Sequence, residues 1–240
     1  MPPEIAIASL TVVAASAVYA VWRGTRRVRR AEFIRTYELP RGLYDKLRER
    51  RPQLGAKDCS LVARGLRKFF LAHLSSGCRF VSMPSHVVDD LWHEFILYTR
   101  EYQAFCRKAF GGFLHHSPAV VIGSQARADE GLRRVWWHAC KEENINPRKP
   151  VRLPLLFALD AKLNIENGFK YVPNCEPLKR SGGPGSAAIY CGSDLAPSEG
   201  TQRNRGRDGS GCGGASGCGG GSGSHGGDGG CGGGGCGGGD

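Results

Sequence analysis

The chain has 240 residues and a net charge of +11, with glycine concentrated towards its C-terminal end. That length accommodates one ordinary domain with accessory segments, and the composition divides into residues 1–30, 31–177 and 178–240. The positive charge does not imply a nucleic-acid partner: Arg23, Arg26, Arg27, Arg29 and Arg30 cluster beside an apolar run, while the remaining Lys and Arg are dispersed among acidic residues along helices.

Ile5 to Trp22 carries no charge. As a helix this run spans about 27 Å at 1.5 Å per residue, close to the hydrocarbon thickness of a bilayer, and it is expected to be a single transmembrane helix. A cleaved signal peptide is the rival reading, with Ala15-Ser16-Ala17 as the small-residue site, but the positive n-region is missing and the arginines follow the apolar run instead of preceding it. Those five arginines suit an anionic lipid surface. Their bias places the N-terminus outside and the following domain on the cytoplasmic face of an inner or plasma membrane. On that face the ten cysteines are expected to be reduced.

From Glu32 the pattern becomes that of a globular protein. Glu32–Tyr37 continues the first helix, Pro40 interrupts it, and Gly42–Arg51 forms a short amphipathic helix closed by Pro52. Lys57–Ser75 is a stronger helix, with Leu61, Val62, Leu66, Phe69, Phe70 and Leu74 on one stripe and Ser76-Gly77 at its end. His73 within it reads as a satisfied helix residue. Cys78–Val81 is an extended link.

The stretch Met83–Pro118 concentrates the chain's uncommon side chains and predicts one long helix around which the rest is organised. Val88, Leu91, Trp92, Phe95, Tyr98, Tyr102, Phe105 and Cys106 recur at three- and four-residue steps. Ser82 or Ser85 supplies the N-cap, Asp89 and Asp90 lie near the positive end of the helix dipole, and Gly111-Gly112 ends the helix. Asp89 and His93, four apart, share a face, so the carboxylate can orient the imidazole. With Cys106, His115 and His116, His93 makes a nitrogen and sulfur set of the kind zinc accepts, and Asp89 and Asp90 would be the carboxylates supporting it. The spacing matches no compact zinc finger. In the alternative, His93 is hydrogen-bonded in a core, Cys106 is a small buried hydrophobe and the histidine pair caps a turn.

Val88-Asp89-Asp90-Leu91-Trp92-His93, followed by Leu97, Tyr102, Cys106, Gly111 and His115, resembles the core signature of the glycine-rich domain-containing protein-like family. The later run Arg152–Asp160 and the glycine-rich tail extend the likeness to bacterial members, over about Leu39 to Cys175. The resemblance implies a helical domain and brings no established catalytic residues. Plant members often carry a second histidine two residues after the Trp-His pair, where this chain has Phe95.

Gln125–Asn144 reads as a further helix, with Trp136-Trp137 as packing residues; Pro154–Leu163 reads as a last short helix and Phe169–Val172 as a closing strand. The fold class is therefore all-α, with about five helices between the anchor and a tail. Beyond Pro177 little remains to bury, and the tail is expected to be disordered. Cys212, Cys218, Cys231 and Cys236 have no C-x-x-C spacing, and His225 lies among them. A metal-storing or oxidant-sensing tail rests on those thiols alone.

The sequence contains no G-x-S-x-G elbow, phosphate-cradling P-loop, H-E-x-x-H or dinucleotide glycine fingerprint. Two function classes follow. The first is an interaction or scaffold module at the membrane, without cofactor, whose partners are the lipid bilayer and an unidentified protein. The alternative is a metal-binding protein or metal-dependent enzyme that uses the His/Cys set with zinc.

Overall fold

The computed structural model describes the backbone of residues 3–116, 125–175 and 189–196, and the side chains of residues 10, 12–116, 128–175 and 190–196. The described chain is mostly helical. Its elements are α1 (Pro3–Thr36), α2 (Leu43–Arg50), α3 (Ala56–Ser75), α4 (His86–Leu97), α5 (Thr99–Ala109), α6 (Gln125–Glu142), α7 (Leu155–Lys162), β1 (Lys170–Val172), β2 (Ile189–Cys191) and a 3-10 turn, Ser193–Leu195.

The central element is α3, not the Met83–Pro118 stretch. It contacts α1, α2, α4, α6 and α7, which a helix achieves only if it is apolar beyond a single stripe. Leu66, Phe69, Phe70, Leu71, Ala72 and Leu74 are all buried. Gly65 permits the closest of these packings, since a methyl group there would run into Leu159 of α7 and lie 3.0 Å from Val88 of α4. Asp58 accepts the Gly55 N–H at 2.9 Å and fixes the start of α3, while Gly77 at φ 78° turns the chain out of its end. An aromatic cluster fills the space between α1, α3, α4 and α5. Within it, Phe70 and Phe105 have ring centroids 4.9 Å apart, and Phe69 and Trp92 are 5.0 Å apart. Deleting one such buried ring costs about 3–5 kcal/mol.

The single long helix expected over this stretch is two helices broken at Tyr98, whose φ of −79° and ψ of 65° leave the helical region. Tyr98 N–H bonds back to Phe95 at 3.1 Å and its hydroxyl donates to the Arg41 carbonyl at 3.3 Å. Periodicity concealed the break because the apolar spacing runs on through it, but the break redirects α5 so that Trp92 Nε1 donates to the Tyr102 hydroxyl at 3.1 Å. The N-cap is Ser85, whose Oγ accepts from Val88 N–H. Gly111 adopts φ 81° just after α5, as expected of the helix end.

The helix expected to enter the membrane and its expected continuation form one helix, α1, which ends at Thr36, one residue short of Tyr37. Leu10, Val12, Val13, Val18, Val21 and Trp22 are exposed along it, with Leu10 72% exposed. Among the described residues no helix is long and apolar enough to cross a membrane, and the run Ile5–Trp22 begins on residues whose side chains lie outside those described. Two of the five arginines engage the domain: Arg27 donates to the Ser75 carbonyl at 2.5 Å, and Arg30 lies against Gly111.

Two expectations about the C-terminal region change. Ile189–Leu195, assigned to the tail, returns to the domain: β2 pairs in parallel with β1, Tyr171 opposite Tyr190, and Leu195 is buried. The other tail residues, including Cys212, Cys218, His225, Cys231 and Cys236, lie outside the described residues. The cysteines are also not uniformly reduced. Cys175 and Cys191 form a disulfide, Cys78 is disulfide-bonded as well, and Cys59, Cys106 and Cys140 are free.

His73 is buried, with Nδ1 3.1 Å from the Arg79 carbonyl, and burial lowers its pKa to about 4. The unfolded chain takes up this proton near the ordinary value of about 6.5 and the folded chain does not. Stability therefore declines as pH falls from about 6.5 to about 4, by up to about 1.4 kcal/mol per pH unit for this group. Urea unfolding of the full chain in mild detergent at pH 7, 6 and 5 is expected to show that decline. Burial lowers the pKa of His138 to about 4 as well, so a His73→Gln variant should reduce the slope by about half; an unchanged slope would remove His73 as a source.

Candidate metal centre

α4 begins at Ser85, and the next turns place His86, Asp89 and His93 at i, i+3 and i+7, on one face of the helix. A single buried carboxylate fixes that helix start. Asp160 of α7, 2% exposed, accepts from Ser85 Oγ at 2.7 Å, His86 N–H at 2.8 Å, Val87 N–H at 3.2 Å and Phe169 N–H at 3.0 Å. The first three bonds hold the N-terminus of α4, and the fourth holds the approach to β1.

His116 reaches the same face from the segment after α5. Its Nε2 lies 3.1 Å from Asp89 Oδ1, while His93 Nδ1 lies 3.6 Å from Asp89 Oδ2. One ligand atom from each of Asp89, His93 and His116 falls within 4.8 Å of the others. Two donors bonded to one zinc at about 2.0–2.2 Å in tetrahedral geometry are about 3.4 Å apart, a spacing that the two contacts of Asp89 bracket and that the three donors, within 4.8 Å of one another, reach by closing together. The buried face of His116 packs edge-on against Trp92, with centroids 4.7 Å apart, and that contact restricts its ring.

What brings His116 here is the buried bridge beneath it. Tyr102 accepts from Trp92 Nε1 and donates to the Leu114 carbonyl at 2.6 Å, pinning the segment two residues before His116. Leu114 is buried, His115 is exposed and His116 is half-buried, so neighbouring side chains in this segment face different ways.

The structure brings together only part of the expected set. His93 and His116 join, and Asp89, expected as a supporting carboxylate, lies within the converging group itself. His115 borders the same cavity but packs on Phe113, with centroids 4.7 Å apart, and does not belong to the group. Cys106 is fully buried on the apolar face of α5. Burial raises its thiol pKa, with hydrogen bonds from Leu114 and Tyr102 in partial opposition, and so disfavours the thiolate that a metal requires. Asp90, one residue from Asp89, points about 100° around the helix and pairs with Arg51 at 2.8 Å and Arg50 at 3.6 Å. It fastens α4 to α2 instead of supporting the centre.

His86 was missed. It borders the same cavity, with its ring 4.4 Å from that of Phe169, and its three-residue offset from Asp89 was the available signal. The cavity is about 430 Å³. Beside the cluster it is bounded by Trp92, Met83 and Leu132, and by Phe169, Tyr171 and Tyr190 from the strand region. Three half-buried donors at the edge of such a cavity leave coordination positions for a further ligand, as in catalytic zinc sites and in two-histidine, one-carboxylate iron sites.

These features define a mostly helical protein with a two-histidine, one-carboxylate cluster on a cavity wall. The chain belongs to the UCP032817-like family, whose match covers residues 29–195. That span begins within the arginine cluster and ends at Leu195, so it takes in the strand pair as well as the helices. No curated protein and no solved structure matches the chain.

Replacing Asp160 tests how the site is held. Asp160→Ala leaves three backbone N–H groups and one hydroxyl without their acceptor and is expected to lower the unfolding free energy by about 3 kcal/mol in urea titration. A change below about 1 kcal/mol would mean that water or a neighbouring acceptor replaces the carboxylate.

Proposed function

We propose that this chain is a membrane-tethered metal-binding protein whose centre is Asp89, His93 and His116. The observation that carries the reading is the convergence of these three donors beside a cavity. Two come from one face of α4, and the third is fixed by the Trp92–Tyr102–Leu114 bridge. Zinc suits two imidazoles and a carboxylate, and an ion held by three protein donors keeps a position open for water or a substrate atom. Bound there, it would act as a Lewis acid beside an apolar chamber. An interaction or scaffold module, the competing reading, has no need of these three donors.

The tether is α1. Its exposed apolar residues have no protein neighbour to cover them among the described residues, and lipid provides one. Arg23, Arg26 and Arg29 suit the anionic headgroups at its end, while Arg27 and Arg30 join it to the domain. The arginine bias favours the cytoplasmic face for that domain. Disulfides on that face are as a rule transient or redox-responsive, and half-buried Cys191 leaves its bond with Cys175 open to thiol exchange.

Purified full chain, stripped with chelator and reloaded, is expected to hold one zinc or cobalt ion per chain by elemental analysis. His93→Ala, His116→Ala and Asp89→Asn should each lower the affinity at least tenfold, while His115→Ala and Cys106→Ser should retain it. Equal retention in all five variants, or no stoichiometric ion in the parent, would sink the centre. Separately, deletion of residues 1–22 should move the protein from the membrane pellet to the supernatant of a cell lysate; a parent chain already in the supernatant would remove the tether.

A further inference from the structure

α1 carries Arg26, Arg30 and Phe33 at i, i+4 and i+7, so the three share one face, and that face meets the end of α5. Phe33 packs on Phe105 with centroids 5.8 Å apart, Lys108 Nζ stands 5.9 Å from the centre of the Phe33 ring, and the Arg30 guanidinium lies over Gly111, where a methyl group would collide with Nη2. One turn nearer the N-terminus, the Arg26 guanidinium stacks on Trp22 at 5.0 Å. Three cations therefore gather where α1 leaves its apolar run. Like charges at i and i+4 repel, and Arg30 is half-buried. Its pKa lies below the ordinary arginine value, first because burial strips water from the guanidinium and then because Arg26 is close. The carbonyl end of α5 draws a cation in. Among the described residues, however, none of Arg26, Arg30 and Lys108 hydrogen-bonds through its side chain or pairs with a carboxylate. The acids on the same two helices face elsewhere: Glu32 lies about 200° around α1 from Arg30 and 3.8 Å from Arg35, and Glu101 stands at the other end of α5, beside Tyr37.

An anion with several acceptor oxygens would relieve this repulsion, and the height of the site along α1 says where such an anion is found. Arg26 lies four residues, about 6 Å, beyond Trp22, which is about the thickness of a headgroup layer measured from the hydrocarbon edge. We propose that Arg26, Arg30 and Lys108 form a binding site for the phosphomonoester headgroup of an anionic phospholipid, phosphatidic acid being its simplest form. A phosphomonoester presents its terminal oxygens and nearly two charges to two guanidinium forks and an ammonium group, whereas a phosphodiester headgroup has fewer free oxygens and less charge to offer. The site rests on the reading of α1 as a tether, and it adds to that reading a choice among lipids made jointly by α1 and the domain.

The test is amine labelling of the full chain in phosphatidylcholine nanodiscs, read by mass spectrometry at exposed Lys108. Lys57, exposed at the end of α3 away from Arg27, is the reference. Replacing about a tenth of the lipid by phosphatidic acid should slow labelling of Lys108 at least about threefold relative to Lys57, and phosphatidylserine at equal surface charge should slow it much less. Arg26→Gln and Arg30→Gln should each abolish the protection while the protein still co-elutes with the discs. Arg26 is exposed, so its variant reads binding without disturbing the fold. Equal slowing by the two lipids, or protection that persists in both variants, would overturn the proposal.

Inorganic phosphate added to phosphatidylcholine discs should leave Lys108 labelling unchanged. Protection by phosphate equal to that by phosphatidic acid would assign the site to a soluble phosphoryl group and overturn the lipid occupant. A parent chain that does not co-elute with the discs fails the tether reading by itself. Dioctanoyl phosphatidic acid added to the full chain in mild detergent then decides the site: protection of Lys108 that requires Arg26 and Arg30 keeps it, and absence of protection overturns it.

Discussion

Asp160 is a buried carboxylate that accepts from one hydroxyl and three backbone N–H groups on two separate segments. A charge removed from water is tolerated only where its lone pairs are occupied, and here they are occupied by donors that would otherwise be unpaired at the start of α4 and before β1. The helix dipole of α4 adds favourable potential at the same point. One residue therefore sets where the His86, Asp89 and His93 face begins and where the Phe169–Tyr171 wall stands, and the cavity is the space between those two settings. Ser85 takes part twice, donating to Asp160 and capping Val88, so the orientation of α4 and its first turn are fixed together.

α3 supplies the other constraint. A helix buried on most sides has no freedom to rotate, and the absence of a side chain at Gly65 lets α4 and α7 both lie close to it. The aromatic cluster then locks α5 and α1 onto the same core, so that Tyr102 can sit beneath both Trp92 and the chain leading to His116. The third donor of the cluster is thus placed by packing at a distance from the donor itself.

Local signals were legible in the sequence and non-local ones were not. The Asp89–His93 pair, the turn at Gly111 and the limits of α3 follow from spacing within one or two helical turns, while the cap was narrowed to Ser82 or Ser85 and the structure selects Ser85. Cys106 lay on an apolar stripe and is buried there, and it lies outside the group formed by Asp89, His93 and His116. The break at Tyr98 was invisible because it preserves the apolar spacing on both sides. Asp160 read as one acid at the end of an apolar run, since its donors lie more than seventy residues earlier and nine residues later. Likewise His116 could not be preferred over His115 without knowing which of two adjacent side chains faces inward.

The strand pair shows why the tail boundary was misplaced. Two parallel strands of three residues each are too short to hold themselves together in water, and a hydropathy pattern of Ile189, Tyr190 and Cys191 after a glycine-rich stretch gives little sign of burial. What holds β2 is sparse but specific: the Cys175–Cys191 bond, Leu195 tucked into the core, and Gly192, where an added methyl would meet the Trp136 ring. A 16-residue covalent loop of this kind removes roughly 3 kcal/mol of unfolded-state entropy, more than a three-residue ladder supplies on its own. Tyr190 owes its place in the cavity wall to that bond, so the shape of the chamber beside Asp89, His93 and His116 depends on sulfur chemistry more than on strand pairing.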